Sequence, residues 1–259
     1  MKNCAGFLLI LLLISCNYNH KKDLPNIRGV FNMLSASSAD TTIAKQKQLK
    51  IYANDCFMYL RIHPADSVSA FGIGTYTTDA GKVTENILYS AADTTVNTTA
   101  FSRTFNITKN DKGFEQTIPV TIAVNKKKQV VEDYVSVGTT QKSPLDGAWK
   151  QTAEYSIKGN DTTKLFDEMQ WKIFFGGYWA AGLVFTDSVQ KKHTGIIYGK
   201  FTTESNKKIK ENVSAATLSV FMGHVFDVSI DIKNNDSFSQ VLTAPNGAKF
   251  LEEFIRVKK

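Results

Sequence analysis

Repeated acids are the first candidates for chemistry in this chain. Glu85 and Glu211 each precede an Asn in two similar segments, and Glu132-Asp133 is matched by Glu252-Glu253. Two carboxyls that share one substrate atom can work as general acid and general base, because each perturbs the other's hold on a proton. Neighbouring residues on a strand point to opposite faces, however, so Glu252 and Glu253 cannot act on one atom from a strand. Such acids are expected instead to bond cross-strand Lys or Thr. The four histidines, His20, His63, His193 and His224, lack the spacing of a zinc site, and neither a Gly-rich phosphate loop nor a nucleophile elbow is present. No metal, no cofactor and no catalysis are expected. Arg61 and Arg103 are mid-strand cations that either clamp a carboxylate inside a fold or stand outward in water.

The cysteines speak to location rather than reaction. Lys2 precedes an apolar run from Ala5 to Ile14, followed by Ser15 and Cys16. The run falls short of the ~20 residues of a spanning helix and reads as the core of a signal peptide over residues 1–15. Leu13-Ile14-Ser15-Cys16 resembles a bacterial lipobox, which implies that the Cys16 thiol is diacylated and becomes the new N-terminus. The other reading is an ordinary secretory signal with an incidental Cys. The lipobox implies a cell-envelope protein anchored in a membrane by acyl chains, with residues 16–26 as its lipidated tether. Asn17, where Asp would mark inner-membrane retention, points to the outer membrane without choosing its periplasmic or surface side. Cys4 leaves with the signal and Cys16 is acylated, so Cys56 is the one thiol left. It can form no intrachain disulfide and is expected to be structural and inert.

Composition allows a packed core and says little about partners. The chain has 259 residues, 42% hydrophobic, with 31 Lys plus Arg against 24 Asp plus Glu, a net charge of +7. Over this length that excess does not indicate a nucleic-acid partner. Thr, Val, Ile, Phe and Tyr recur in short alternating runs separated by turn clusters such as Asp79-Ala80-Gly81 and Asn234-Asn235-Asp236, which predicts antiparallel strands throughout. The best helix candidate, Thr42 to Leu49, is short.

The chain also repeats itself. Gly29-Val30-Phe31 returns as Gly147-Ala148-Trp149, and Gly74 to Asp79 as Gly199 to Glu204. Lys82 to Ile87 returns as Lys208 to Val213, and Val131 to Val137 as Leu251 to Val257. All four matches lie 118 to 126 residues apart, so the chain reads as two copies of one unit. Strands are predicted near 28–36, 46–52, 55–62, 70–78, 81–89, 100–108, 115–124 and 129–137. In the second copy they fall near 147–157, 165–174, 177–185, 194–203, 207–215, 224–232, 235–243 and 248–257. About eight sequential strands per copy suit small antiparallel up-and-down β-barrels, with a pair of sandwiches as the alternative. The fold class is all-β, with barrel 1 over 27–140, a linker at 141–146 and barrel 2 over 147–259.

These segments resemble the lipocalin-like domains of bacterial lipoproteins, which are calycin-type barrels. The resemblance rests on Gly147-Ala148-Trp149, the Lys164 to Trp171 segment, Gly-x-Tyr/Phe-Thr-Thr-Asp/Glu leading to Lys-x-x-Glu-Asn, and Leu251 to Val257. It implies barrel closure by Arg256 crossing Trp149, a pair replaced in the first copy by Phe31 and Ser136. It further implies a small hydrophobic or amphipathic ligand in a barrel lumen lined by Tyr76, Arg103, Trp171, Trp179, Phe201 and Phe226. Phe101, Phe105 and Phe175 are further candidates, and side chains filling the lumen as core are the alternative. Gly176-Gly177 reads as a hairpin turn flanked by Phe174, Phe175, Tyr178 and Trp179, which either folds over the barrel as a lid or plug or projects as an aromatic tip. The expected function is ligand binding at the envelope without catalysis. The alternative is an interaction or scaffolding module with filled barrels.

Overall fold

The computed structural model describes residues 27–37, 46–62, 69–93, 95–123, 126–165 and 169–259. The expected signal peptide and tether, with Cys16 and His20, and also His63, lie outside the described residues. In the first half the strands are β1 (Gly29–Ser37), β2 (Lys47–Ala53), β3 (Cys56–Ile62), β4 (Ser69–Asp79), β5 (Lys82–Ala92), β6 (Thr95–Asn97), β7 (Phe101–Asn110), β8 (Gly113–Ala123) and β9 (Lys126–Ser136). They run β4-β3-β2-β1-β9-β8-β7-β5 around a ring that β4–β5 pairing closes, with β6 added beside β5. In the second half they are β10 (Gly147–Lys158), β11 (Asp161–Leu165), β12 (Met169–Phe175), β13 (Tyr178–Thr186), β14 (Lys192–Ser205), β15 (Lys208–Ala216), β16 (Val225–Asn234), β17 (Ser237–Thr243) and β18 (Lys249–Arg256). Here β10–β18 pairing closes an eight-strand ring, and β11 lies outside it against β10. The molecule is two closed antiparallel barrels. Closure leaves no ring strand with an unpaired edge.

Fifteen of the sixteen predicted strands coincide with observed strands to within a few residues at each end. The prediction at 165–174 merged the end of β11 with β12. The two short additions, β6 and β11, were not anticipated because they are largely exposed and carry no apolar alternation. The helix expected over Thr42 to Leu49 is overturned at Lys47–Leu49, which belongs to β2, and residues 42–45 lie outside the described residues. Gln48-Leu49-Lys50-Ile51-Tyr52 pairs with β3 on one side and β1 on the other, and this pairing overrides a weak helical preference.

The duplication extends to backbone detail. Both β4 and β14 carry a bulge at a glycine, after Ile73 and after Tyr198. A Cβ on Gly74 would lie 1.9 Å from the Asn86 carbonyl oxygen, and one on Gly199 would lie 1.7 Å from that of Asn212. No other residue fits either place.

The barrels lie side by side. β2 packs against its counterpart β12 and β4 against its counterpart β14, and β3 also meets β10. The shared core includes Leu49, Ile51, Met58, Phe71 and Ile73 of the first barrel with Trp171, Ile173, Ala180 and Ile196 of the second. At one end Ser69 Oγ donates to the Thr194 carbonyl (2.6 Å) and Thr194 Oγ1 to that of Asp93 (2.7 Å). At the other end the Thr139 amide donates to the Gly176 carbonyl (2.8 Å).

Candidate functional site

Each barrel encloses the same polar cluster. In the first, Gln48 and Lys50 of β2 meet Glu85 of β5, Gln116 of β8 and Glu132 of β9. In the second, Gln170 and Lys172 of β12 meet Glu211 of β15, Gln240 of β17 and Glu252 of β18. All ten residues are buried. The register repeats as well, since Gln116 faces Glu132 across its ladder as Gln240 faces Glu252. Lys50 Nζ lies 3.0 Å from Glu85 Oε1 and 2.9 Å from Gln116 Oε1. Lys172 Nζ lies 2.7 Å from Glu211 Oε1 and 3.3 Å from Gln240 Oε1. A buried ammonium and carboxylate persist only when paired in this way.

What surrounds the cluster differs between the barrels. In the first, Tyr52 donates to Glu85 (2.5 Å), and both Tyr134 (2.7 Å) and Gln116 (2.9 Å) donate to Glu132. Arg61 Nε donates to Gln48 (2.7 Å), and its guanidinium lies 3.8 Å from Glu132. Tyr59, Arg61, Arg103 and Phe105 cover what remains, leaving a cavity of about 20 Å³. That is room for about one water molecule and for no organic ligand. Burial and the adjacent carboxylates push the Tyr52 and Tyr134 phenols well above their ordinary range, so both stay protonated as donors.

The second barrel is open. A cavity of about 400 Å³ lies above the cluster, with Gln170, Lys172, Glu211 and Glu252 in its floor and Glu154 and Gln151 on its wall. Trp179, Leu183, Val184, Ile197, Phe226 and Phe250 supply much of the apolar wall. The residues that fill the first barrel are replaced at equivalent ladder positions. Tyr59 pairs with Lys50 where Ala181 pairs with Lys172, and Arg61 pairs with Gln48 where Leu183 pairs with Gln170. Arg103 pairs with Glu85 where Phe226 pairs with Glu211. Burial raises the affinity of the Glu211 and Glu252 carboxyls for a proton, against the opposing pull of Lys172. The Trp179 indole N–H is buried with no partner among the described residues, an unused donor on the cavity wall. The mouth carries the 3-10 turn Ser219–Phe221 and the β17–β18 turn with Pro245 and Asn246. Val220 and Met222 on this rim are exposed apolar side chains, and Val189 on the β13–β14 turn is another.

Of the residues expected to line a lumen, Trp179 and Phe226 face this cavity. Phe201 lies in the packed core of the same barrel, edge-on to Phe174 at 5.3 Å between ring centres. Trp171 corrects the expectation: it points out of the barrel, into the interface, 5.2 Å from the Tyr89 ring. It sits between Gln170 and Lys172, whose side chains point inward, so strand alternation turns it outward. Tyr76 is core in the filled barrel, edge-on to Tyr52 at 5.0 Å, its hydroxyl donating to the Asn54 carbonyl (2.8 Å). Arg103 is exposed above that barrel, beside Phe101 and Tyr59, and no open lumen lies beneath it. The Gly176-Gly177 turn is neither lid nor projecting tip. Its backbone, at φ of 56° and 76°, is held by Thr139, while Phe174 and Trp179 point into the barrel.

The open barrel's floor ends on Trp149 and Arg256. The guanidinium lies 4.0 Å from the indole centre. It donates to the carbonyls of Asn235 (2.6 Å), Asp146 (2.8 Å) and Pro144 (3.4 Å), and Trp149 Nε1 donates to that of Leu145 (2.8 Å). Cys56 is buried and free at the interface between the barrels, and burial raises its thiol pKa to about 12.

The floor of the cavity went unread in the sequence except for its acids. The signal was present: Gln48-Leu49-Lys50-Ile51-Tyr52 matches Gln170-Trp171-Lys172-Ile173-Phe174, and Phe114-Glu115-Gln116 matches Phe238-Ser239-Gln240.

No protein-family description matches the chain, and no curated protein does. Among solved structures, it is similar to a crystal structure of a protein of unknown function from the DUF3598 family of Nostoc punctiforme. That match has 9% identity over 89% of this chain and 96% of the other, with a TM-score of 0.25, too low a score to speak to function.

Proposed function

We propose that this is a lipid-anchored cell-envelope protein whose second barrel holds a small hydrophobic or amphipathic molecule, while the first barrel is a filled structural partner. Neither barrel catalyses a reaction. The observation that carries the reading is the contrast between about 400 Å³ of open lumen above the polar cluster in one copy and about 20 Å³ at the equivalent place in the other. The larger volume falls in the range of small-molecule pockets, about 300–1,000 Å³. Its mostly apolar wall suits an apolar body, and the polar floor suits a head group that fixes orientation. Exposed Val220 and Met222 at the mouth suit the passage of such a molecule between lipid and lumen. Anchoring rests on the Leu13-Ile14-Ser15-Cys16 motif, and the tether would hold the barrels beside a membrane, most simply the outer one.

The test is uptake of a neutral lipophilic dye such as Nile red by the purified full chain, with native mass spectrometry of protein taken from its own envelope. Saturable dye binding that Ala181→Trp abolishes supports the reading. A protein that neither binds dye nor carries a co-purifying small molecule overturns it in favour of a scaffolding module. Cys16→Ser is expected to release the protein from the membrane fraction, and its retention there would overturn the anchor.

A further inference from the structure

The two copies of the polar cluster allow an internal comparison that bears on ligand chemistry. In the filled barrel every carboxylate receives donors beyond the shared Lys and Gln. Glu85 takes the Tyr52 hydroxyl, and Glu132 takes the Tyr134 hydroxyl with Arg61 close by. Phe174, Phe254 and Leu183 stand at the equivalent places in the open barrel and donate no hydrogen bond, so Glu252 is held by the neutral amides of Gln170 (3.0 Å) and Gln240 (2.5 Å), with no hydroxyl or guanidinium beside it. Glu211 Oε1 has Lys172 Nζ at 2.7 Å, and no tyrosine stands beside it to add the second donor that Tyr52 gives Glu85. The charge balance changes in the same sense. Lys50, Arg61 and Arg103 face Glu85 and Glu132 in the first barrel. In the second, Lys172 alone among lining cations faces Glu211 and Glu252.

We infer that the ligand of the second barrel carries a cationic amine head, which seats between Glu211 and Glu252 and supplies the donors and the positive charge that tyrosines and Arg61 supply in the first barrel. This rests on the reading of the open barrel as a ligand holder. An anionic head is disfavoured because Lys172 is already engaged by Glu211 and Gln240, and the Glu252 carboxylate would repel it. A neutral alcohol donates one hydrogen bond and brings no charge. An alkylammonium brings three donors, and a charge-assisted bond to a buried carboxylate is the stronger kind.

The deciding experiment is displacement of Nile red from the full chain by dodecylamine, dodecanol and dodecanoate at neutral pH, so that head group alone varies. Dodecylamine is expected to bind about tenfold or more tightly than dodecanol, the ratio for one charge-assisted hydrogen bond gained, with dodecanoate weakest. Glu252→Gln, close to isosteric, is expected to erase most of the preference. Leu183→Arg, which rebuilds the first barrel's cation, is expected to abolish it. Glu253→Gln removes the same charge from the neighbouring position on the opposite face of the strand and is expected to leave the preference intact. Equal binding of amine and alcohol, or a preference that survives both Glu252→Gln and Leu183→Arg, overturns the inference while dye binding itself still stands. Absence of dye binding overturns the underlying reading instead.

Discussion

Tyr59 and Ala181 occupy one and the same site in the two barrels, each directly across the ladder from the buried lysine of its polar cluster, Lys50 or Lys172. The phenol ring present in one and missing in the other accounts for much of the difference between a filled and an open lumen. Exchanging them is therefore expected to exchange the properties. Ala181→Tyr should abolish dye uptake with little loss of stability, because it grows into empty space. Tyr59→Ala should cost about 3 kcal/mol, the usual effect of removing a buried ring, read as a lowered urea midpoint. Dye binding that survives Ala181→Tyr would place the ligand elsewhere.

Lys172 is the one cation lining the open cavity among the described residues, and its removal strands the buried carboxyls Glu211 and Glu252. Lys172→Met is expected to destabilise the protein by about 3–5 kcal/mol, the cost of breaking one side of a buried pair. Adding Glu211→Leu should restore much of that loss, since the uncompensated charge goes with it. Urea denaturation of the single and double variants checks both. Additive losses in the double variant would mean that the two side chains do not act as a pair.

The buried acids also give a signed dependence on pH. Burial raises the Glu211 and Glu252 pKa values in the folded state, against an ordinary value of 4.5. The native protein then holds protons that the unfolded chain has released, so their contribution is complete below about 4.5 and is lost as pH rises through the folded values. The difference in stability between wild type and the Glu211→Gln/Glu252→Gln double variant is thus expected to favour wild type more at pH 5 than at pH 7.5. Thermal unfolding at the two values measures it, and a difference that does not move would contradict the assignment.

Arg256 ties three chain segments to the floor of the open barrel through its carbonyl contacts and its position over Trp149. Arg256→Ala is expected to cost about 2 kcal/mol, combining lost cation–π contact with stranded carbonyls. Arg256→Lys should recover only part of this, because an ammonium cannot reach three diverging carbonyls and cover the indole together. Denaturation followed by tryptophan fluorescence reports both.

Cys56 is expected to resist alkylation in the folded protein. At pH 8 a thiol with a pKa of about 12 offers almost no thiolate, and its sulfur is buried at the interface between the barrels. Iodoacetamide should label it only after denaturant unfolds the barrels. Rapid labelling of the native protein would show that the interface opens.

The strands were legible because each carries its own local signal: alternation, β-branched residues and a turn at its end. Ring closure was legible only through the repeat, which required each copy to be complete in itself. Site residues were harder to place for a physical reason. β12 is apolar on one face and polar on the other, but its apolar face meets the second barrel rather than a lumen, so Trp171 was assigned to the wrong side. Lys172 and Gln170 look like ordinary solvent-facing residues of such a strand, and nothing local says that their side is enclosed. Whether a lumen is hollow depends on residues such as Ala181 and Leu183, whose effect is set by what faces them across the ring.

Ring closure also carries a timetable. The first barrel is sealed when its final strand β9, ending at Ser136, meets β1, and the second only when β18, ending at Arg256, meets β10. Until Arg256 has been made, the later unit is an open sheet with two bare edges, and its closing contact spans over a hundred residues. The earlier unit can by then be complete, presenting β2 and β4 as an apolar wall on which β12 and β14 can settle. Order of synthesis thus lets the first barrel offer the second a formed apolar surface before the second ring has closed.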